Sequence, residues 1–523
     1  MTTLLPPNPT LPTRRTVALG LAAGVAASGM SGSGLAQTQS LGSLIQSTLG
    51  EGQPFTAGAV VELARAVAKR PYVAPSTELP EPFANLNYER YVAIQLRPTD
   101  RVWASEDRGF VVEPLVRGFV FNTAVGLFTV DDGQVRRILF DRSRFEFGDL
   151  AVPPTSPDPG FSGFRLYVRG SDETNKLFAI IQGATFFRAI AKGQNFGIVS
   201  RALTLKPAEQ KGEEFPAFRA FWIETPPQGG NALIVHGLLD SESVAGAVRL
   251  TLRPGDSTIV DVEATLIPRV QLDHVGLGGA TASFMFGPNV RVTTDDYRPG
   301  AYEASGLSIL NGAGEWIWRP FNNPGTLQIS AFLDDNPRGF GLLQRDRDIS
   351  SFQDDAQRYD KRPSLWVEPI GDWGAGAVQL IEIPSDAEIN KNILVYWRPK
   401  APIPAGQEFG FAYRQFWTRE PATRPSLAQV TTTRSGRGAA RRRKFLVEFQ
   451  GDNLASPPQD MKPVISASPG AIQNVRLWSY PERRSVRIAF DLEFGAETAC
   501  EMRLLLEAGS KPLSETWLYR WTA

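Results

Sequence analysis

The sequence predicts an all-β protein in two units, a large antiparallel one followed by a smaller one with sandwich-like strand spacing. Three observations carry this. The 523 residues include 48 Gly and 40 Pro, which means many turns and many short strands. From 88 to 397 strand-like runs such as Gly118-Phe119-Val120-Phe121 and Val378-Gln379-Leu380-Ile381-Glu382-Ile383 follow one another between Gly and Pro, without a solenoid-length repeat. Beyond 408 the runs Phe445-Leu446-Val447-Glu448-Phe449, Val475-Arg476-Leu477-Trp478, Val486-Arg487-Ile488-Ala489-Phe490 and Trp517-Leu518-Tyr519-Arg520-Trp521 recur at sandwich spacing.

In chain order, Thr13-Arg14-Arg15-Thr16 precedes a charge-free apolar run over 17–30, and Leu35-Ala36 closes it with a small residue. That is the pattern of a twin-arginine signal peptide over 1–36, cleaved after Ala36. The run is shorter than the roughly 20 residues of a membrane span, and no later stretch is long and apolar enough for one. A soluble periplasmic protein, exported already folded, is the expectation. The single cysteine, Cys500, agrees, since no disulfide is then needed.

Residues 37–53, rich in Gly, Ser and Gln, read as a linker. Val60, Val61, Leu63, Ala64 and Val67 fall near helical spacing before Pro71, which predicts one helix over 57–69. The large unit then occupies 54–398. Pro399, Pro402 and Pro404 make 399–407 a stiff linker, and 408–523 forms the second unit.

Lys+Arg and Asp+Glu balance at 55 each, so no bulk field favours nucleic acid. The basic run Arg441-Arg442-Arg443-Lys444 lacks interleaved aromatics and reads as a solvated loop. His236 and His274 lie in apolar strand contexts without metal-ligand spacing to each other or to Cys500, so neither metal nor cofactor is expected. No Gly-x-Ser-x-Gly elbow or phosphate loop is present.

Between 314 and 373 the chain concentrates four of its eleven Trp with Arg319, Arg338, Arg345, Arg347, Arg358 and Arg362, in a stretch that reads as too polar for core. Indole faces cover the apolar faces of pyranose rings while Arg forks and carboxylates bond the hydroxyls, so the composition suits a sugar-binding cleft. Glycosidase chemistry needs only two carboxyl groups, and composition cannot choose the pair.

The order of motifs is more specific. Gly163-Phe164-Arg165-Leu166, Gly183-Ala184-Thr185-Phe186-Phe187-Arg188-Ala189, Gly212-Glu213-Glu214-Phe215-Pro216 and Phe284-Met285-Phe286-Gly287-Pro288-Asn289 come first. Gly314-Glu315-Trp316-Ile317-Trp318-Arg319-Pro320, Pro337-Arg338-Gly339-Phe340-Gly341, Arg362-Pro363-Ser364-Leu365-Trp366 and Gly371-Asp372-Trp373-Gly374 follow. From about residue 84 onward the chain resembles the periplasmic glucan biosynthesis family, the MdoG/OpgG and OpgD proteins. The resemblance implies a large antiparallel β-sandwich followed by a smaller immunoglobulin-like β-sandwich. It implies a role in osmoregulated periplasmic glucan biosynthesis, with β-glucan as ligand and the membrane glucosyltransferase as a possible partner.

It also implies site residues. Hydrolytic members act on β-1,2-linked glucan with inversion, using two Asp and a Tyr on the proton route. Those positions fall here on Glu303, on Lys391 and on Tyr359 respectively. The first acid is thus one methylene longer and the second is gone. A lysine replaces it as base only if burial or a cationic neighbour lowers its pKa several units from about 10.4. Glu382, Asp386 and Glu388 are the nearby acids in sequence that offer a substitute. The implied substrate-binding set is Trp316, Trp318, Arg319, Arg338, Gln344, Arg345, Asp346, Arg362, Trp366 and Trp373. Three readings remain open: a glucan-binding protein with little or no hydrolysis, a β-1,2-glucanase or transglycosylase with a displaced acid or base, and a scaffold that docks the glucosyltransferase.

Overall fold

The structure is a computed structural model that describes residues 40–170, 174–290, 295–439 and 441–523. The expected signal peptide over 1–36 lies outside them. Among the described residues no helix is long and apolar enough to cross a membrane.

Two large sheets face each other across one core. The ten-stranded sheet runs Phe110–Val116, Phe161–Arg169, Asn175–Gln182, Phe186–Ala189, Val199–Arg201, Val275–Ala282, Ile393–Pro399, Ala375–Glu382 and Gln328–Asp335, with the short Thr204–Leu205 beside Val275–Ala282. The second sheet has fifteen strands. Phe164, Phe221, Leu250, Val262, Leu277, Leu307, Val378 and Trp397, drawn from both sheets, are fully or almost fully buried between them. Such a layer is what fully apolar inward positions of paired strands dictate. The all-β expectation holds, and pairing is antiparallel except for Gly126–Asp131 with Ala217–Glu224 and Trp316–Pro320 with Thr516–Thr522 among the described strand pairs.

Two of the expected boundaries differ. Residues 37–53 contain a helix, Leu41–Leu49, capped by the Ser40 hydroxyl on the Ser43 amide. Ile45 and Leu49 turn inward at helical spacing, and Trp222 donates its indole N–H to the Leu49 carbonyl at 2.8 Å. With the second helix, Ala59–Ala68, inside the expected 57–69, it covers the outer face of the large sheet over Phe128, Val130, Trp222 and Leu238. The second difference is the domain boundary. Phe409–Thr418 pairs with Thr258–Pro268 on one side and Ser364–Ile370 on the other, so it is an interior strand of the large sheet. Residues 399–407 are therefore a turn within the first unit, and the break to the second falls after Thr418.

The second unit is a sandwich of four strands (Gln429–Arg437, Arg442–Gln450, Ser485–Glu493, Ala471–Tyr480) on three (Lys462–Ser468, Ala499–Ala508, Thr516–Thr522). With the two-residue Lys511–Pro512 beside Ala499–Ala508 set aside, the seven strands match the count of a constant-type immunoglobulin fold. The basic run begins a strand rather than filling a loop: Arg442 meets Glu493 at 3.2 Å and Arg443 donates to Ser435. Thr516–Thr522 pairs with Trp316–Pro320, so the three-stranded layer continues the large sheet without a break. The two units thus share a junction, and its core takes in Trp318, Leu343 and Trp366 together with Phe445, Phe490 and Trp517.

Candidate functional site

Strand register brings one group of site residues to one end of the ten-stranded sheet. Val199 pairs with Thr281, and Thr281 with Leu394. Gly197 before the first strand, Ser283 after the second and Lys391 before the third therefore share an edge. Arg188 sits one residue past the Phe187–Ser200 pair and joins them. Asn392 fastens the Lys391 turn: its side chain accepts from the Phe284 amide at 2.8 Å and donates to the Phe284 carbonyl at 2.9 Å.

Glu303 follows Ala301–Tyr302 and is 6 % exposed. Its amide donates to the Ser283 carbonyl at 2.9 Å, and its Oε2 accepts from the Ser283 amide at 3.1 Å. Lys391 closes on it. Lys391 Nζ lies 2.5 Å from each carboxylate oxygen and 3.1 Å from the Gly197 carbonyl. An ammonium has three N–H donors, and all three are used. Burial lowers the Lys391 pKa, Glu303 opposes this, and the charges of Arg362 and Arg188 push the same way as burial. A base must offer a lone pair, yet this nitrogen is committed as a donor on every bond.

Tyr359 comes from the 3-10 turn Tyr359–Lys361 and donates its hydroxyl to Glu388 Oε2 at 2.7 Å. Burial raises its pKa well above the usual phenol range, and the hydrogen bond to Glu388 and the charge of Glu303 add to that. The Arg362 guanidinium lies over the Tyr359 ring, 5.6 Å from its centroid. A Cβ at Gly197 would stand 3.0 Å from Arg362 Cδ, so the glycine leaves room for that side chain. Of the substitute acids, Glu388 is bound by Tyr359 and Arg298, and Arg298 also holds Asp296 and Asp354. Glu382 is fully buried against Arg319 at 3.1 Å, and Asp386 is exposed.

A second group of candidates gathers at the junction with the C-terminal unit. Trp366 is 1 % exposed, stacks on Trp316 at 5.5 Å and 27°, and donates its N–H to Glu368. Gly339 lets it fit, because a Cβ there would lie 2.3 Å from the indole. Trp318 is 3 % exposed and covered by the Arg345 guanidinium, 3.6 Å from the ring centroid. Arg345 grips Glu515 with both terminal nitrogens, at 2.5 and 3.0 Å, and the Val430 carbonyl at 2.9 Å. Gln344 donates to the Tyr302 carbonyl, and Asp346 accepts from the Tyr302 hydroxyl at 2.9 Å, with burial raising the Asp346 pKa. Arg319 is 1 % exposed. Trp318, Arg319, Gln344 and Trp366 are thus turned inward, in a stretch whose composition reads as too polar for core. Trp316 is half-buried and Arg338 exposed. Trp373 lines an apolar concavity of about 650 Å³ with Ile370, Pro402 and Phe411, whose lining includes none of Glu303, Tyr359 or Lys391.

Arg188, Arg298 and Asn392 were not singled out from the sequence. The available signal was Arg188 itself, a lone cation on a four-residue strand whose alternate residues, Phe187 and Ala189, are buried. Among the described residues no cluster of His, Cys, Asp and Glu is arranged to hold a metal. His236 and His274 instead approach the carboxylates of Glu224 and Glu209 at 2.6 and 3.0 Å.

Fold and site together define an all-β sandwich protein with a cation-rich polar cluster at one end of its smaller large sheet. The profile of the family described as "Periplasmic glucan biosynthesis protein, MdoG" matches residues 55–521, and the chain belongs to that family. Relatives called glucans biosynthesis protein G agree along most of its length. The one from Vibrio cholerae is 43% identical over 476 residues, covering 90% of this chain and 87% of the relative. That from Shewanella baltica is 43% identical over 480 residues with the same coverage, and that from Bradyrhizobium diazoefficiens 42% identical over 471 residues, covering 90% and 93%.

Proposed function

We propose that this protein acts in periplasmic glucan biosynthesis by binding and shaping a β-1,2-linked glucan backbone without hydrolysing it. Family membership supports the first part. The second rests on one observation, the contact of Lys391 Nζ with both oxygens of Glu303. Inverting hydrolysis needs two carboxyls about 6.5–9.5 Å apart with a water between them. Here an ammonium stands at contact distance from the one carboxyl that remains. In this reading Tyr359, Arg362, Glu303 and Lys391 meet the sugar, and Trp316, Arg338 and Trp373 extend the surface. Trp318, Arg319, Gln344, Arg345, Asp346 and Trp366 support it from beneath.

Titration of the mature protein with linear β-1,2-glucan is expected to show binding by calorimetry and no growth of reducing ends on prolonged incubation. Reducing-end release that disappears in Glu303→Gln would favour a glucanase instead, and absence of binding would remove the glucan reading.

The same proposal places the protein in the periplasm by the twin-arginine route, on the strength of Arg14 and Arg15 before the apolar run. Replacing both by Lys is expected to leave folded precursor in the cytoplasm, as scored by fractionation and blotting. Undiminished export of the double variant rules the route out.

A further inference from the structure

We propose that the polar cluster around Lys391 receives an oxyanion carried on the glucan, a phosphate ester or a carboxyl group, rather than a neutral sugar alone. This rests on the glucan reading and names the ligand chemistry of the same site.

The first observation is a convergence of three cations on one carboxylate. Lys391, Arg188 and Arg362 converge on the end of the sheet where Glu303 is the one carboxylate that contacts any of them among the described residues. The next carboxylates bond other partners, and three of them share Arg298. Glu388 belongs to Arg298 and Tyr359, Asp296 and Asp354 to Arg298, and Asp360 to Arg358 at 2.7 Å. Arg165, the other cation near Arg188, pairs with Glu113 at 2.7 Å, a carboxylate it shares with Arg101.

The second observation is unused donor capacity. No hydrogen bond or ion pair engages the Arg188 side chain among the described residues, and its guanidinium lies 6.0 Å from the Phe196 ring centroid. Burial lowers its pKa, Glu303 and Tyr88 pull the other way, and the charges of Arg165 and Arg362 push with burial. Arg362 spends one N–H on Gln357 at 2.9 Å and leaves its Nε buried without a partner. A guanidinium offers five donors in a planar fork that fits phosphate and carboxylate oxygens two at a time. Two forks with free donors, flanking an ammonium that stands at the family's second acid position, suit a charged oxygen acceptor better than hydroxyls alone.

The test is calorimetric titration of the mature protein with four probes. They are a short linear β-1,2-gluco-oligosaccharide, the same oligosaccharide with a phosphate ester on a primary hydroxyl, the same ending in a uronic acid, and inorganic phosphate alone. At least one charged oligosaccharide is expected to bind about tenfold tighter than the neutral one, the gain of a charge-assisted hydrogen bond, and to lose part of that gain in high salt. Which charged probe gains identifies phosphate or carboxylate as the source. Arg188→Gln, or Arg362→Gln should the first fail to fold, is expected to shrink the ratio of charged to neutral affinity. Equal affinity of neutral and charged oligosaccharides, or a ratio unmoved by both variants, overturns the proposal while leaving glucan binding intact. Inorganic phosphate binding as tightly as the charged oligosaccharides also overturns it, because the ligand would then be a free anion. If none of the probes binds, the glucan reading itself fails.

Discussion

Lys391→Asp combined with Glu303→Asp is expected to raise reducing-end release from linear β-1,2-glucan on the order of 100-fold over the wild type, the low end of what general acid–base catalysis contributes. Lys391 Nζ holds both Glu303 oxygens, so on the proposed reading the wild type has no free acid at Glu303 and no carboxyl at position 391. Lys391→Asp alone sets two carboxylates against each other where the longer Glu303 reaches forward, leaving little room for the attacking water. Glu303→Asp alone leaves the cation in place. Together the changes supply two carboxyls and draw the first back by one methylene, which opens the separation that inversion requires. A double variant that folds, binds glucan and still releases no more sugar than wild type would falsify the claim that these two positions account for the missing chemistry.

Glu382→Gln is expected to cost roughly 3–5 kcal/mol of unfolding free energy in urea titration, the usual consequence of removing one partner from a buried ion pair. Glu382 and Arg319 are 0 % and 1 % exposed and meet at 3.1 Å. Burial pushes the Glu382 carboxyl up while Arg319 pulls it down. The pair is also a knot: Glu382 Oε1 accepts from the Asn322 amide at 2.7 Å, the Asn322 side chain bonds Tyr519 and Arg520, and Arg319 lies over the Tyr519 ring. It ties the ten-stranded sheet to the strand Trp316–Pro320 and to the C-terminal unit at once. Replacing both partners, Arg319→Met with Glu382→Leu, is expected to cost much less than Glu382→Gln, since no charge is left alone. A Glu382→Gln loss below about 1 kcal/mol would mean that water reaches the pair.

Strand content and the helix over 59–68 were legible because both follow from local periodicity and turn residues. The helix Leu41–Leu49 was hidden by its Gly and Ser, and what holds it is the distant Trp222. The Pro-rich stretch 399–407 does signal a turn, but a turn does not say which sheet the next strand joins. Phe409–Thr418 is placed by Thr258–Pro268, far upstream.

By itself the sequence determined the β class and the family, and it set Lys391 where the resemblance implies a second acid, because each is carried by residues read in order along the chain. Only the tertiary structure decided that Lys391 closes onto Glu303, and that Trp318, Trp366 and Arg319 face the junction core instead of an open cleft. The physical reason is that burial and charge pairing are set by neighbours that pairing brings from elsewhere in the chain. Glu303 and Lys391 lie 88 positions apart and Arg345 and Glu515 170 apart, so no local window holds both members of either pair.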